Sequence, residues 1–182
     1  LYTSGTTGHP KGVQLTNGNY MAFFKSSQDA DWADFGAGEP NLIAMPNFHV
    51  AGANMGLTSL AQGCRGIVLK TVAPDEIFDL IEKFRINAMF LVPAVILMLV
   101  QHPRIKTTDI TSVKKIFYGA SPITEELLKT AQSIFKGCSF FQLYGLTETV
   151  GSGTALPPGD HRDNLLRSCG KPYPGLDIKV VD

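Results

Sequence analysis

Short runs rich in apolar side chains occur at Asn41–Met45, Gly66–Lys70, Ala88–Val92, Lys114–Tyr118 and Ser139–Tyr144. Each predicts a strand buried on both faces, because a parallel sheet covered by helices shows little polar alternation. Between them, Asp75–Phe84 carries Ile77, Phe78, Leu80, Ile81 and Phe84 at helical spacing, behind Pro74 and with Asp75 and Glu76 in the first turn. Proline at the start and early negative charge are helix-opening signals. Thr124–Phe135 repeats the pattern after Pro122, with Leu127, Leu128, Ala131, Ile134 and Phe135 as its stripe and Gly137 as its stop. Pro93–His102 predicts a third helix, closed by Pro103, with His102 capping its end. Strands alternating with helices imply an α/β fold, a mostly parallel sheet flanked by helices. Two tracts, Thr3–Gly12 and Gly151–Leu166, break the rhythm and read as loops. Leu176–Asp182 reads as a further strand.

Composition narrows the class. The chain has 182 residues, 44% hydrophobic and 18% charged, which describes an ordered globular unit able to bury a core without disulfides or structural metal. Sixteen basic residues balance 16 acidic ones, so the excess positive charge that nucleic-acid binding requires is missing. Cys64, Cys138 and Cys169 lie far apart without C-x-x-C spacing and are expected as buried, reduced thiols. The apolar stretch Ala88–Val100 is interrupted by Pro93 and falls short of the roughly 20 residues of a membrane span, which leaves peripheral membrane contact open. The chain starts at Leu1 without an export signal, and its closing strand has nothing after it to pair with. Both ends are therefore expected to be cut from a longer, cytoplasmic protein, with part of the active site outside the chain.

The richest local chemistry is Tyr2-Thr3-Ser4-Gly5-Thr6-Thr7-Gly8-His9-Pro10-Lys11-Gly12-Val13. Glycines permit turns that point successive backbone N–H groups into a nest, hydroxyls add donors without bulk, and Lys11 adds positive charge, a combination suited to phosphate. A flexible Ser/Thr/Gly turn has the same composition. The loop is not a Walker A motif, since His9 and Pro10 separate Gly8 from Lys11 and Gly12 follows the lysine. A second motif, Gln142-Leu143-Tyr144-Gly145-Leu146-Thr147-Glu148-Thr149, ends the last of the five strands, where ligands bind in open α/β sheets. Tyr144 can offer an aromatic face, Thr147 a hydroxyl, and Glu148 a hard oxygen for Mg²⁺. A core tyrosine beside a solvated glutamate is the plainer alternative.

Tyr2–Val13 resembles the phosphate loop of the AMP-forming acyl-CoA synthetases, a superfamily that also holds luciferases and peptide-synthetase adenylation domains. Gln142–Thr149 follows in the order and separation of the same family. The resemblance runs the length of the chain and implies nucleotide binding by Thr3, Ser4, Gly5, Thr6, Thr7, Gly8, Lys11, Gly119, Ala120, Ser121, Gln142, Leu143, Tyr144, Gly145 and Thr147. In such enzymes the turn corresponding to Gly119-Ala120-Ser121 presents backbone to adenine opposite the tyrosine. Pro46-Asn47-Phe48-His49-Val50-Ala51-Gly52 falls where the family has its acyl-pocket mouth, which implies a site role for His49 and a pocket formed with Ala51, Gly52 and Met55. A packed or capping role is the alternative for His49, and His9, His102 and His161 carry no assigned function. The resemblance also implies that residues 1–168 belong to the α/β portion of the AMP-binding domain. Residues 169–182 are expected to start a small β-barrel.

The resembling enzymes use ATP, Mg²⁺ and coenzyme A to convert a small-molecule carboxylic acid, here expected to be a fatty acid, into an acyl-adenylate and then a thioester. By this resemblance Lys11, Thr147, Glu148 and His49 are the catalytic candidates, with Glu148 holding the metal. His49 follows Phe48 where amino-acid-activating domains carry an aspartate, and Leu146 stands where they usually have proline, so an acyl- or aryl-CoA ligase is favoured over an amino-acid adenylation domain. The apolar Phe90–Val100 and the small Ala51, Gly52, Ala53 and Gly56 suggest a tunnel for a medium or long fatty chain, or simple helix packing. An inactive nucleotide-binding relative is disfavoured by the intact Lys11 and Glu148. The family's ribose-binding aspartate, hinge arginine and mobile-domain lysine lie outside the chain.

Overall fold

A computed structural model describes residues 1–4, 8–30 and 33–181, without the side chain of Asp163. Seven strands form one sheet in the order β4-β3-β5-β6-β7-β8-β9. They are β3 (Pro40–Ile43), β4 (Arg65–Val68), β5 (Ala88–Leu91), β6 (Lys115–Gly119), β7 (Ser139–Tyr144), β8 (Thr154–Leu156) and β9 (Lys171–Pro172). The first five are mutually parallel, as the apolar runs predict, and β8 and β9 add antiparallel strands at one side. A separate hairpin pairs β1 (Tyr2–Thr3) with β2 (Lys11–Gly12).

Strand side chains of the central strands alternate between two cores, as a pleat of period two requires. Leu42, Met89, Leu91, Ile116, Tyr118 and Phe140 face one core, which packs against α3 (Pro74–Phe84), α4 (Pro93–Gln101) and α5 (Glu125–Ile134). Ile43, Ala88, Phe117 and Phe141 face the other, toward α2 (Val50–Ala61) and its Met55. Ile77, Phe78, Ile81, Ile96 and Leu99 are almost fully buried, each worth roughly 1.5–3 kcal/mol of transfer free energy.

The helix signals read from the sequence operate as expected. Pro74 occupies the first turn of α3, and Arg85 ends it in the left-handed region at φ 53°. The Thr124 hydroxyl caps α5 by accepting from Leu127 N. His102 terminates α4, and its ring Nδ1 accepts from Arg104 N at the next turn. Two helices give no such signal. α1 (Asn17–Gln28) lacks a continuous apolar stripe and is set by a reciprocal cap in which Thr16 Oγ1 accepts from Asn19 N and Asn19 Oδ1 accepts from Thr16 N. α2 is rich in small residues and is capped by His49, whose Nδ1 accepts from Ala51 N at 3.2 Å.

Two expectations are corrected, one on the closing strand and one on the cysteines. Residues 176–181 form no strand; they are exposed and pair with no other strand among the described residues. Lys171–Pro172 pairs with Thr154–Ala155 and extends the main sheet, and the described residues form no closed barrel. Cys169 is exposed and Cys64 half-buried. Cys138 is also only partly exposed, and burial pushes its thiol pKa up to about 12.

Candidate active site

Because β3, β5, β6 and β7 run parallel, the segments leaving their C-terminal ends gather along one edge of the sheet, the usual ligand-binding side of such folds. Gly119 ends β6 directly opposite Leu143 of β7, and a Cβ there would lie 2.1 Å from the Leu143 carbonyl oxygen. Only glycine lets the two strands approach this closely. Ala120 then turns at φ 64°, a left-handed conformation that costs energy for any residue with a Cβ and clusters at functional sites. Ser121 follows on the surface. Across the edge, Gly145 leaves β7 where a Cβ would come within 2.3 Å of the Gly151 carbonyl oxygen.

After Gly145 the chain makes a tight turn at Thr147–Thr149, closed by Leu146 N donating to Thr149 Oγ1 at 3.0 Å. Val150 ends that turn at φ 55°, unusual for a β-branched residue. Its carbonyl accepts a 2.6 Å hydrogen bond from Asn54 Nδ2 of α2. The turn forms one wall of a cleft of about 680 Å³, with Asn19, Phe23 and Asp29 of α1 opposite and Tyr144, Gly145 and Glu148 on the near side. Tyr144 is 48% exposed there, open for stacking.

Thr147 is partly buried and is not among the residues bordering the cleft. Neither is Lys11, which stands exposed on the hairpin opposite Thr3, a short way before α1. Ser4 is exposed, and Gly8 sits at φ 84°, in keeping with a turn that needs glycine. The expected phosphate contacts of Gly5, Thr6 and Thr7 lie outside the described residues. Among the described residues no group of three His, Cys, Asp or Glu side chains could hold a metal by itself. The lone exposed Glu148 fits a magnesium ion that takes its other ligands from phosphate and water, as Mg²⁺ commonly does.

A second, largely apolar cavity of about 120 Å³ lies between α2 and the sheet. His49, Ala51 and Met55 border it, whereas Gly52 does not. A Cβ on Gly52 would meet the Pro46 and Met45 carbonyl oxygens at 2.3 and 2.4 Å, so this glycine serves close packing. Together with Ala53 and Gly56 it borders a separate depression beside β4. Of the apolar stretch Phe90–Val100, only Phe90 reaches the cavity, since Val95, Ile96 and Leu99 fill the opposite core. The alternative of helix packing therefore holds for that stretch. Leu143 borders the cavity, and the neighbouring Gln142 keeps a buried Oε1 without a hydrogen-bond partner among the described residues. Cavity and cleft have Phe23 and Gly145 in common.

Sequence reasoning missed Phe23, Phe35, Asn54, Phe117 and Tyr173 as cavity residues, because each reads locally as ordinary core or helix. It also gave His161 no part. That ring locks the base of the Gly119-Ala120 turn: Nδ1 donates to the Pro157 carbonyl and Nε2 accepts from the Tyr118 hydroxyl, both at 2.9 Å. A carbonyl can only accept, which fixes the tautomer. Burial, partly offset by the Pro157 hydrogen bond and the charge of Asp160, lowers the His161 pKa and keeps it neutral.

Comparison with known proteins agrees with this geometry. The chain is 37% identical over its whole length to a fatty acid–[acyl-carrier-protein] ligase, ScoC, of Streptomyces coeruleorubidus, and covers 36% of that protein. It is 39% identical to the medium/long-chain-fatty-acid–CoA ligase FadD8 of Mycobacterium tuberculosis, again over the whole chain and 31% of the relative. The chain thus spans about a third of the length of these curated relatives. Among solved structures, the N-terminal domain of FACL13 from M. tuberculosis superposes with a TM-score of 0.83 at 31% identity, covering 95% of this chain and 42% of that one. O-succinylbenzoate coenzyme A synthetase from Bacillus subtilis, in complex with ATP and magnesium ion, superposes with a TM-score of 0.84 at 28% identity, over 100% and 37% of the two chains. The family described as AMP-binding enzyme matches residues 1–182 from end to end, and the chain belongs to it.

Proposed function

We propose that the chain forms the nucleotide- and acid-binding part of an enzyme that joins a carboxylic acid to coenzyme A using ATP. In the first step a carboxylate oxygen attacks the α-phosphorus, a new P–O bond forms, the bond to the bridging oxygen breaks, and pyrophosphate leaves. In the second, the coenzyme A sulfur attacks the acyl carbonyl carbon and AMP departs. Attack of one anion on another is slow unless the reactants are aligned and their charge is neutralised, so positioning and electrostatics are the protein's task. In this reading Thr3–Gly8 and Lys11 hold the leaving pyrophosphate and Thr147 the α-phosphate, while the Gly119-Ala120-Ser121 turn and the Tyr144 ring enclose the adenine. His49 stands beside the acid carboxylate. Glu148 would hold magnesium together with the substrate phosphates, and the ion would neutralise part of their charge.

The strongest support is the common wall of the two cavities. Phe23 and Gly145 border both the cleft that carries Glu148 and the apolar cavity beside His49, so an acid in one abuts phosphates in the other. Relatives named for fatty, indoleacetic, ferulic and succinylbenzoic acids span acyl and aryl substrates, and an apolar cavity suits either kind of carbon skeleton. A cytoplasmic location, where ATP and coenzyme A are both at hand, is part of this reading.

The test is carboxylate-dependent exchange of labelled pyrophosphate into ATP by the full-length protein. Glu148→Ala is expected to lower that exchange by about 10²-fold or more, the loss typical when one preorganised charge partner is removed. Its unfolding midpoint should stay unchanged, because Glu148 is exposed. Undiminished exchange in this variant refutes the assignment.

A further inference from the structure

The dimensions of the apolar cavity select among the acids that the ligase reading allows, and the inference here rests on that reading. The cavity opens beside Ala120 and Gly145 at the sheet edge and runs under the face that carries Phe90, Phe117 and Leu143. Phe90 and Phe117 are cross-strand partners in one row, three residues below Ala120, which sets the depth at about 10 Å for ~3.3 Å per residue.

That row is a tightly packed floor, and Ala33, Phe35 and Thr58 border the cavity as well. Phe117 stacks on Phe141 with centroids 4.8 Å apart and is wedged against Phe35 at 4.9 Å, so it cannot swing aside without breaking both contacts. Met55 borders the α2 side, ahead of Thr58 on the next turn, and is itself buried, at 6% exposure, in the same cluster. The cavity offers about 120 Å³, of the order of the roughly 150 Å³ of an apolar protein cavity that accepts one benzene. Much of the lining is aromatic, and aromatic walls reward a flat ring through tilted contacts that a linear chain does not make.

The geometry points to a compact, ring-bearing carboxylic acid of benzoate size as the substrate, in place of a medium or long fatty chain. A chain of ten carbons has to displace the Phe117–Phe141 stack or Met55. The floor residues Met55 and Phe117 are accordingly specificity-determining.

The experiment measures kcat/KM for pyrophosphate exchange by the full-length protein with benzoate, hexanoate, decanoate and palmitate, alone and in Met55→Ala and Phe117→Leu variants whose unfolding midpoints are recorded. A single misfitting methylene is worth about 10–200-fold, so decanoate is expected at least about 100-fold below benzoate, with palmitate inactive. Met55→Ala should raise the decanoate-to-benzoate ratio about 10-fold or more, and Phe117→Leu should shift it in the same direction if the former fails to fold. Decanoate or palmitate equal to benzoate overturns the size limit and leaves the ligase reading intact. Hexanoate ahead of benzoate overturns the preference for a ring. An unchanged ratio in folded variants overturns the cavity as the acid site, whereas no exchange with any acid overturns the ligase reading itself.

Discussion

Asn54 offers the sharpest test of how the fold holds the acidic turn. Its Nδ2 donates to the Val150 carbonyl at 2.6 Å, and Val150 is buried at φ 55°. A β-branched residue in the left-handed region carries strain of roughly 1–3 kcal/mol, so something must hold it there. Removing the donor leaves a buried carbonyl unsatisfied at a cost of about 1–3 kcal/mol, comparable to the strain it restrains. Asn54→Ala should therefore let the Thr147–Thr149 turn relax. Taking about 2 kcal/mol, kcat/KM for ATP in pyrophosphate exchange should fall about 30-fold, at 1.36 kcal/mol per decade. Asn54→Asp keeps the shape but sets a carboxylate oxygen against the carbonyl, and should lose more than the alanine variant. Glycine adopts positive φ without strain, so the Asn54→Ala penalty should shrink in a Val150→Gly background. Measuring KM for ATP and for the acid separately distinguishes this effect from damage to the cavity wall that Asn54 also forms. An Asn54→Asp protein with wild-type kinetics and unfolding midpoint would show that the bond does not hold the turn.

Two further outcomes follow from the same edge of the sheet. Gly119→Ala drives a Cβ into the Leu143 carbonyl and should destabilise by about 1–3 kcal/mol, whereas Gly137→Ala meets no atom within 4 Å and bears only the ~1–2 kcal/mol of its left-handed backbone. Thermal unfolding together with ATP affinity checks this, since only Gly119→Ala should weaken nucleotide binding; equal behaviour of the two variants refutes the close-approach argument. His161, whose pKa is lowered by burial, binds its proton less readily folded than unfolded. Its contribution to stability is complete above about pH 6.5 and is lost as the pH falls below that value toward the folded pKa. His161→Gln should flatten the drop in unfolding midpoint between pH 7.5 and 5.5, and an unchanged slope in the variant refutes the role.

Local chemistry was enough to read the parallel strands, α3, α4 and α5, because apolar periodicity, Pro74, Pro93 and the Thr124 cap act over a few residues. It did not reveal α1, whose signal is a single reciprocal cap, or α2, where small residues and a histidine cap replace a clear stripe. The strand read at Leu176–Asp182 does not form across residues 176–181, because β propensity produces a strand only where a partner is present.

The sequence by itself determined the α/β class and the two motifs, since Gly-rich and Tyr-Gly-Leu-Thr-Glu segments carry their chemistry in the order of their residues. Tertiary structure decided which side chains share a wall. It set Asn54 against Val150, turned Gly52 away from Ala51 and Met55, and lined the apolar cavity with Phe117 and Phe35, backed by Phe141. Those relations depend on which residues meet when parallel strands are brought into register, and residues far apart along a chain do not record their separation in space.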